Sequence, residues 1–208
     1  MPALYLTPAA VSYLNQIILA TLISGYLLLR FTRRGAESRT AADWQLLAIF
    51  VSVILVSAAF FFEVTLLPAG RFVAVVLEIP LTILLLSVLI QFAYVFPTPV
   101  GSALERRLAL IVTGLYLAYE IGYAVWRLQL IGQGRVAYSS DLFDPAVIIG
   151  AGWIITTFAR SAFRSGGRVA QRMALVFCVP LALAIVNWLN STDQVSDPLY
   201  YIALTSGM

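Results

Sequence analysis

Long apolar runs alternate with short polar connections along the whole chain, and ~20 apolar residues suffice for one helical crossing of a bilayer. The pattern predicts membrane spans over 8–29, 43–63, 72–96, 108–130, 145–163 and 169–189. Arg30, Arg33 and Arg34 stop the first span, and Asp43 reads as the N-cap of the second. The stretch LLPAGR reads as the turn into the third span, which Pro97 and Pro99 end because proline cannot continue a helix. GSALERR leads into the fourth span and GQGRVAYSSDLFD is the longest polar linker. Asp144 and Pro145 read as N-cap and N1 of the fifth. Segment 198–208 is too short to cross and reads as the outer half of a seventh helix. A β-barrel would show ~10-residue segments of strict alternation instead. The expected fold is therefore all-α: one polytopic membrane helix bundle over 1–208, with six complete transmembrane helices and the start of a seventh.

Arginine placement orients the bundle. With the N-terminus outside, the inner connections hold Arg30, Arg33, Arg34, Arg39, Arg106, Arg107, Arg160, Arg164, Arg168 and Arg172. Only Arg71, Arg127 and Arg135 are left outside, so an outer N-terminus is expected. The first ten residues, MPALYLTPAA, carry no basic residue, and the first span reads as its own targeting signal rather than a cleaved one.

Polar residues within the spans gather at one depth. In LYLAYEIGYAVWR (115–127), Tyr116, Glu120, Tyr123 and Arg127 stand at i, i+4, i+7 and i+11, one stripe on a helix. Asn15, Gln16, Glu63, Glu78 and Asn187 also fall in the outer halves of their spans. Pro80, just after Glu78, and Pro180 are expected to kink their helices and splay them into a cavity open to the outside. Charges within spans are costly enough to mark candidate sites. The candidate ligand-binding residues are thus Asn15, Gln16, Glu63, Glu78, Tyr116, Glu120, Tyr123, Arg127 and Asn187. Polar groups in bundles also serve as interhelical glue, and Glu120 with Arg127 could be a structural pair. The aromatic residues around them could form an interfacial belt. Arg160, Arg164, Arg168 and Arg172 recur every four residues; topogenic charge explains them, and an edge for anionic lipid or a partner is the alternative.

Composition narrows the chemistry. The 208 residues are 61% apolar and 11% charged, where a soluble domain has about a quarter charged. There is no lysine, which excludes a retinal-type Schiff base, and no histidine, which removes the usual haem and zinc ligand and any Ser-His-Asp triad. Cys178 stands alone in an apolar run and reads as a small core residue. Without a P-loop, GxSxG or HExxH motif, neither catalysis nor a cofactor or metal is expected in this chain. The basic pI of 9.2 points to membrane lipids and not to nucleic acid.

Several segments carry a family resemblance: TPAAVSYLNQIILATLISGYLLLR (7–30), FFFEVTLLP with LEIPLTILLLSVLIQFAYVFP (60–97), ERRLALIVTGLYLAYEIGYAVWR (105–127) and RMALVFCVPLALAIVNWL (172–189). They resemble the N-terminal seven-helix sensor regions of bacterial histidine kinases and nucleotide cyclases, QFAYVFP being the most distinctive piece. The resemblance implies a multi-pass protein of the bacterial inner membrane that passes a signal inward to a catalytic domain after the last helix. That domain is not in this sequence. Three readings follow, in order: a sensory module with an outward cavity for a small molecule or lipid, a non-catalytic subunit of a larger membrane complex, and a transporter using Glu78 and Glu120. Further copies of the chain or other membrane subunits are the candidate protein partners.

Overall fold

A computed structural model of the chain describes residues 7–33, 40–66, 68–134, 142–165 and 167–191. They form six helices and no strand: α1 (Pro8–Arg33), α2 (Ala41–Thr65), α3 (Pro68–Val95), α4 (Ala103–Gly132), α5 (Phe143–Ser165) and α6 (Arg168–Ser191). Among the described residues five helices, α1 to α5, are long and apolar enough to cross a membrane. The predicted seventh helix, at 198–208, lies outside the described residues.

Helix ends depart from the sequence reading where local chemistry extends them. Thr40, not Asp43, caps α2: its hydroxyl accepts from the Asp43 N–H, while the Asp43 carboxylate accepts from the Thr40 N–H at 3.0 Å. Asp43 is therefore the third residue of the helix in a reciprocal capping box. The turn expected at LLPAGR is shorter, because α3 already starts at Pro68, a residue suited to a first helical turn whose amide has no partner anyway. Similarly, most of GSALERR is helical. The Ser102 hydroxyl accepts from the Glu105 N–H at 3.1 Å, and α4 runs from Ala103. Asp144 lies in the first turn of α5, which begins one residue earlier than the expected cap. Pro80 sits inside α3 without breaking it.

The chain divides into two compact units. The first comprises Met1–Phe92 with Leu108–Tyr138, the second Ala93–Arg107 with Ser139–Met208. In the first, α1 and α2 are an antiparallel pair: Tyr13 stacks on Phe60 at 5.3 Å, Ser57 donates to Gln16 at 3.0 Å, and Phe31 meets Trp44 at 5.2 Å. The α1 seam is built on residues 10, 13, 17, 20, 24, 27 and 31, all buried or half-buried. That alternation of threes and fours keeps one stripe on the partner. Ala10, Ala20 and Ser24 from α1, with Ser52, Ser57 and Ala59 from α2, are buried and small, so the two backbones can approach closely.

In the second unit α5 packs against α6, to which residues 166 and 167 connect it. Ile154, Thr157, Phe158, Ser161 and Ala162 form the buried face of α5, and Ala93, Tyr94 and Val100 are buried at the end of α3 and the turn that follows. The Val100 N–H closes that turn on the Tyr94 carbonyl at 2.9 Å. Cys178, expected in the core, is exposed on α6. The correction has a simple cause: around a membrane helix, lipid is as apolar as the protein interior, so an apolar run does not reveal which face points inward.

Candidate functional site

The α4 stripe is where the structure concentrates buried charge. Ala109, Thr113, Glu120, Ala124 and Arg127 are its buried positions, recurring at helical spacing, and Tyr116 and Tyr123 are half-buried beside them. Glu120 is 1% exposed and Arg127 6%. Seven residues apart, they are separated by about 10 Å along the helix axis, and neither takes part in an ion pair among the described residues. Both carboxylate oxygens of Glu120 and the Nε of Arg127 are buried without a hydrogen-bond partner. The structural pair that the sequence allowed for these two is therefore not formed. Tyr116, one turn before Glu120, lies close enough for its phenol to sense the carboxylate.

An aromatic ladder climbs from this stripe toward the exposed side of α4. Tyr116 and Tyr119 stack at 6.1 Å, Tyr119 and Tyr123 at 6.1 Å, and Tyr123 meets Trp126 at 5.4 Å. Tyr119 and Trp126 are about half exposed, the position of rings that line a rim or face lipid headgroups.

A second polar group lies in the same unit, at the end of α2 and the start of α3. Glu63 pairs with Arg71 at 3.3 Å, and Glu78 is near enough to Glu63 for the two carboxyl groups to interact. One Glu78 oxygen is buried without a partner. Tyr13 of α1 lies within electrostatic reach of the same two carboxyl groups. Gln16, although exposed, is held by Ser57, whereas Asn15, a neighbour in sequence and also exposed, lies on a different side of α1. Of the predicted residues, then, Tyr116, Glu120, Tyr123 and Arg127 share a face of α4, and Glu63 and Glu78 come together with Arg71. Asn187 lies within α6, and its side chain is outside the described residues.

Two features were missed by the sequence reading. Trp44, Gln45 and Ala48 of α2, Ser87, Val88 and Gln91 of α3, and Thr113 and Gly114 of α4 help line an open cavity of about 440 Å³. It sits at the α2 N-terminal and α3 C-terminal ends, opposite to Glu63 and Glu78. Nothing in the spacing of these residues announces it. In the second unit, Trp153 donates to Tyr94 at 2.9 Å, Tyr94 donates to Glu105 at 3.1 Å, and Arg160 grips both oxygens of Glu105. Thr98 and Ser161 add a hydrogen bond of 2.9 Å nearby. Arg160, read from sequence as one of a repeating basic row, is committed to this network. The Ser102-x-x-Glu105 spacing before an apolar run was the available hint, although Glu105 turns to Tyr94 and Arg160 instead of back to the cap.

No protein-family model matches the chain, and no curated protein or solved structure is detectably similar to it.

Proposed function

We propose that the chain is a membrane-embedded receptor module of a bacterial inner membrane, with its N-terminus outside and a site built on α4 that takes a small molecule or lipid. In this reading helix displacement carries the response to a cytoplasmic output domain, as in the sensor regions that the sequence resembles. Six complete crossings and an inward-running seventh helix belong to the same proposal. The observation that carries it is the state of Glu120 and Arg127: a carboxylate and a guanidinium on one helix face, nearly fully buried, without an ion pair. Burying a charge without a partner is expensive. An intramembrane charge kept on such terms marks a binding function more readily than a packing one.

The test is a thermal-shift screen of small zwitterionic and amphiphilic compounds on the purified protein. A compound that raises the melting temperature of the wild type, and has no effect on folded Glu120→Gln and Arg127→Gln variants, supports the site. Compounds that stabilise all three alike place their binding elsewhere. Mass measurement after gentle extraction tests the relay: an output domain continuing past Met208 supports it, while fixed-ratio membrane subunits would make the chain an accessory subunit.

A transport reading is favoured by one observation, the neighbouring carboxyl groups of Glu63 and Glu78, which could exchange a proton or hold a cation. Flux into proteoliposomes that Glu78→Gln abolishes would establish it in place of reception.

A further inference from the structure

We infer that the C-terminal third of α1 is a docking site for a phospholipid with a net negative headgroup. Tyr26, Leu29, Arg30 and Arg33 enclose a recess of about 280 Å³ on the α1 surface. Tyr26, Arg30 and Arg33 stand at i, i+4 and i+7, so they occupy one face and extend about 10 Å along the axis. Deeper in the span this face continues through Leu22 and Leu19, both largely exposed, as are Tyr26 and Leu29. The lane is therefore apolar over two turns and doubly cationic at its end. An acyl chain leading up to a phosphate has the matching order.

Charge complementarity commits the occupant. Neither Arg30 nor Arg33 makes an ion pair or hydrogen bond among the described residues, in contrast to Arg160, which Glu105 occupies. Planar guanidinium groups one turn apart offer forked donors suited to a phosphate, and the Tyr26 hydroxyl lies on the same side. The helix backbone gives no help here, because a helix C-terminus carries the negative end of its dipole. Among the described residues, attraction of an anion to this position rests on these two arginines. The inference is independent of the receptor reading, since it concerns a lipid-facing surface and not the α4 stripe.

Native mass spectrometry of the detergent-solubilised protein, titrated with phosphatidylglycerol and in parallel with phosphatidylcholine, tests it. The wild type should bind one phosphatidylglycerol saturably and phosphatidylcholine far more weakly. Arg30→Gln with Arg33→Gln should weaken phosphatidylglycerol binding by about 30-fold, the value for two interfacial charges. The control, Arg164→Gln with Arg168→Gln, removes two exposed arginines elsewhere and should leave that binding unchanged. Equal losses in both double variants would mean diffuse surface attraction and overturn the site, as would no loss in the α1 variant or equal binding of both lipids. If neutralising α1 prevents insertion, Arg30→Lys with Arg33→Lys keeps the charge and loses the fork. A several-fold loss is expected there, and unchanged affinity would overturn the inference.

Discussion

The indole N–H of Trp153 donates to the Tyr94 hydroxyl at 2.9 Å, and the same hydroxyl donates onward to Glu105 at 3.1 Å. One phenol thus joins the middle of α5 to the end of α3 and the start of α4. Tyr94 is 1% exposed, while Trp153 and Glu105 are half-buried and Arg160 also holds Glu105, so the indole N–H is the partner that relies on this hydroxyl. Tyr94→Phe leaves the indole N–H without its acceptor and deprives Glu105 of a donor. The expected cost is ~1–3 kcal/mol, the penalty for stranding a buried polar group. Thermal unfolding in detergent reads it. Adding Trp153→Phe to Tyr94→Phe should cost little more, because the two residues share one interaction.

Gly101 makes that arrangement possible. Its φ is +80°, and a Cβ there would meet the Glu105 carboxylate at 2.8 Å and the Tyr94 ring at 3.1 Å. Gly101→Ala is expected to destabilise by about 1–3 kcal/mol through backbone strain, with further loss from the displaced side chains. Gly114 provides the contrast. It is helical with open space where a Cβ would stand, so Gly114→Ala should be neutral or stabilise by up to about 1 kcal/mol. Melting temperatures moving in the same direction for both would contradict this geometry.

The Thr40 hydroxyl supplies one half of the capping box at the start of α2. Thr40→Ala removes the side-chain acceptor for the Asp43 N–H and should cost ~0.5–2 kcal/mol, with faster amide exchange confined to the first turn of α2. Thr40→Ser keeps the acceptor and should behave as the wild type.

Glu120 is expected to trade stability for its role. Replacing a carboxylate buried without an ion pair by its neutral isostere removes a charged group's desolvation cost, so Glu120→Gln should raise the melting temperature of the ligand-free protein, by ~1–3 kcal/mol in stability. A lowered melting temperature would identify Glu120 as structural glue.

The positions of the helices were legible because membrane insertion imposes one strong requirement, a sufficient apolar length, and the runs around α1 to α5 meet it. Their ends were not. Thr40 and Asp43 offer alternative caps three residues apart, both of residue types that cap helices, and only the reciprocal hydrogen bonding selects Thr40. The α4 stripe was readable from its spacing: positions 116, 120, 123 and 127 share a face whatever covers it, and the structure buries Glu120 and Arg127 on that face. What spacing could not reveal is whether a residue of another helix would meet either charge; among the described residues neither has an ion-pair partner. Asn15 and Gln16 are equally polar by sequence, yet neighbours on a helix point about 100° apart, and only Gln16 meets Ser57. The Trp153–Tyr94 bond spans 59 residues and leaves no local pattern at all. Arg160 was hidden by its own row of arginines, because topogenic charge and a committed ion pair have the same residue type and the same place at a helix end.

The buried stripe also bears on how the chain is made. A charged side chain costs up to ~2.5–3.5 kcal/mol on insertion, the most at the centre of a span, and each Leu, Ile or Val returns only about 0.3–0.6. Presented alone to the insertion machinery, the Glu120 segment of α4 is therefore a poor substrate by comparison with the more apolar α2 and α3. It gains when helices already in the bilayer shelter its polar face. The expected consequence is an order of assembly in which α4 settles against helices already in place, so that its stripe finds cover as it enters.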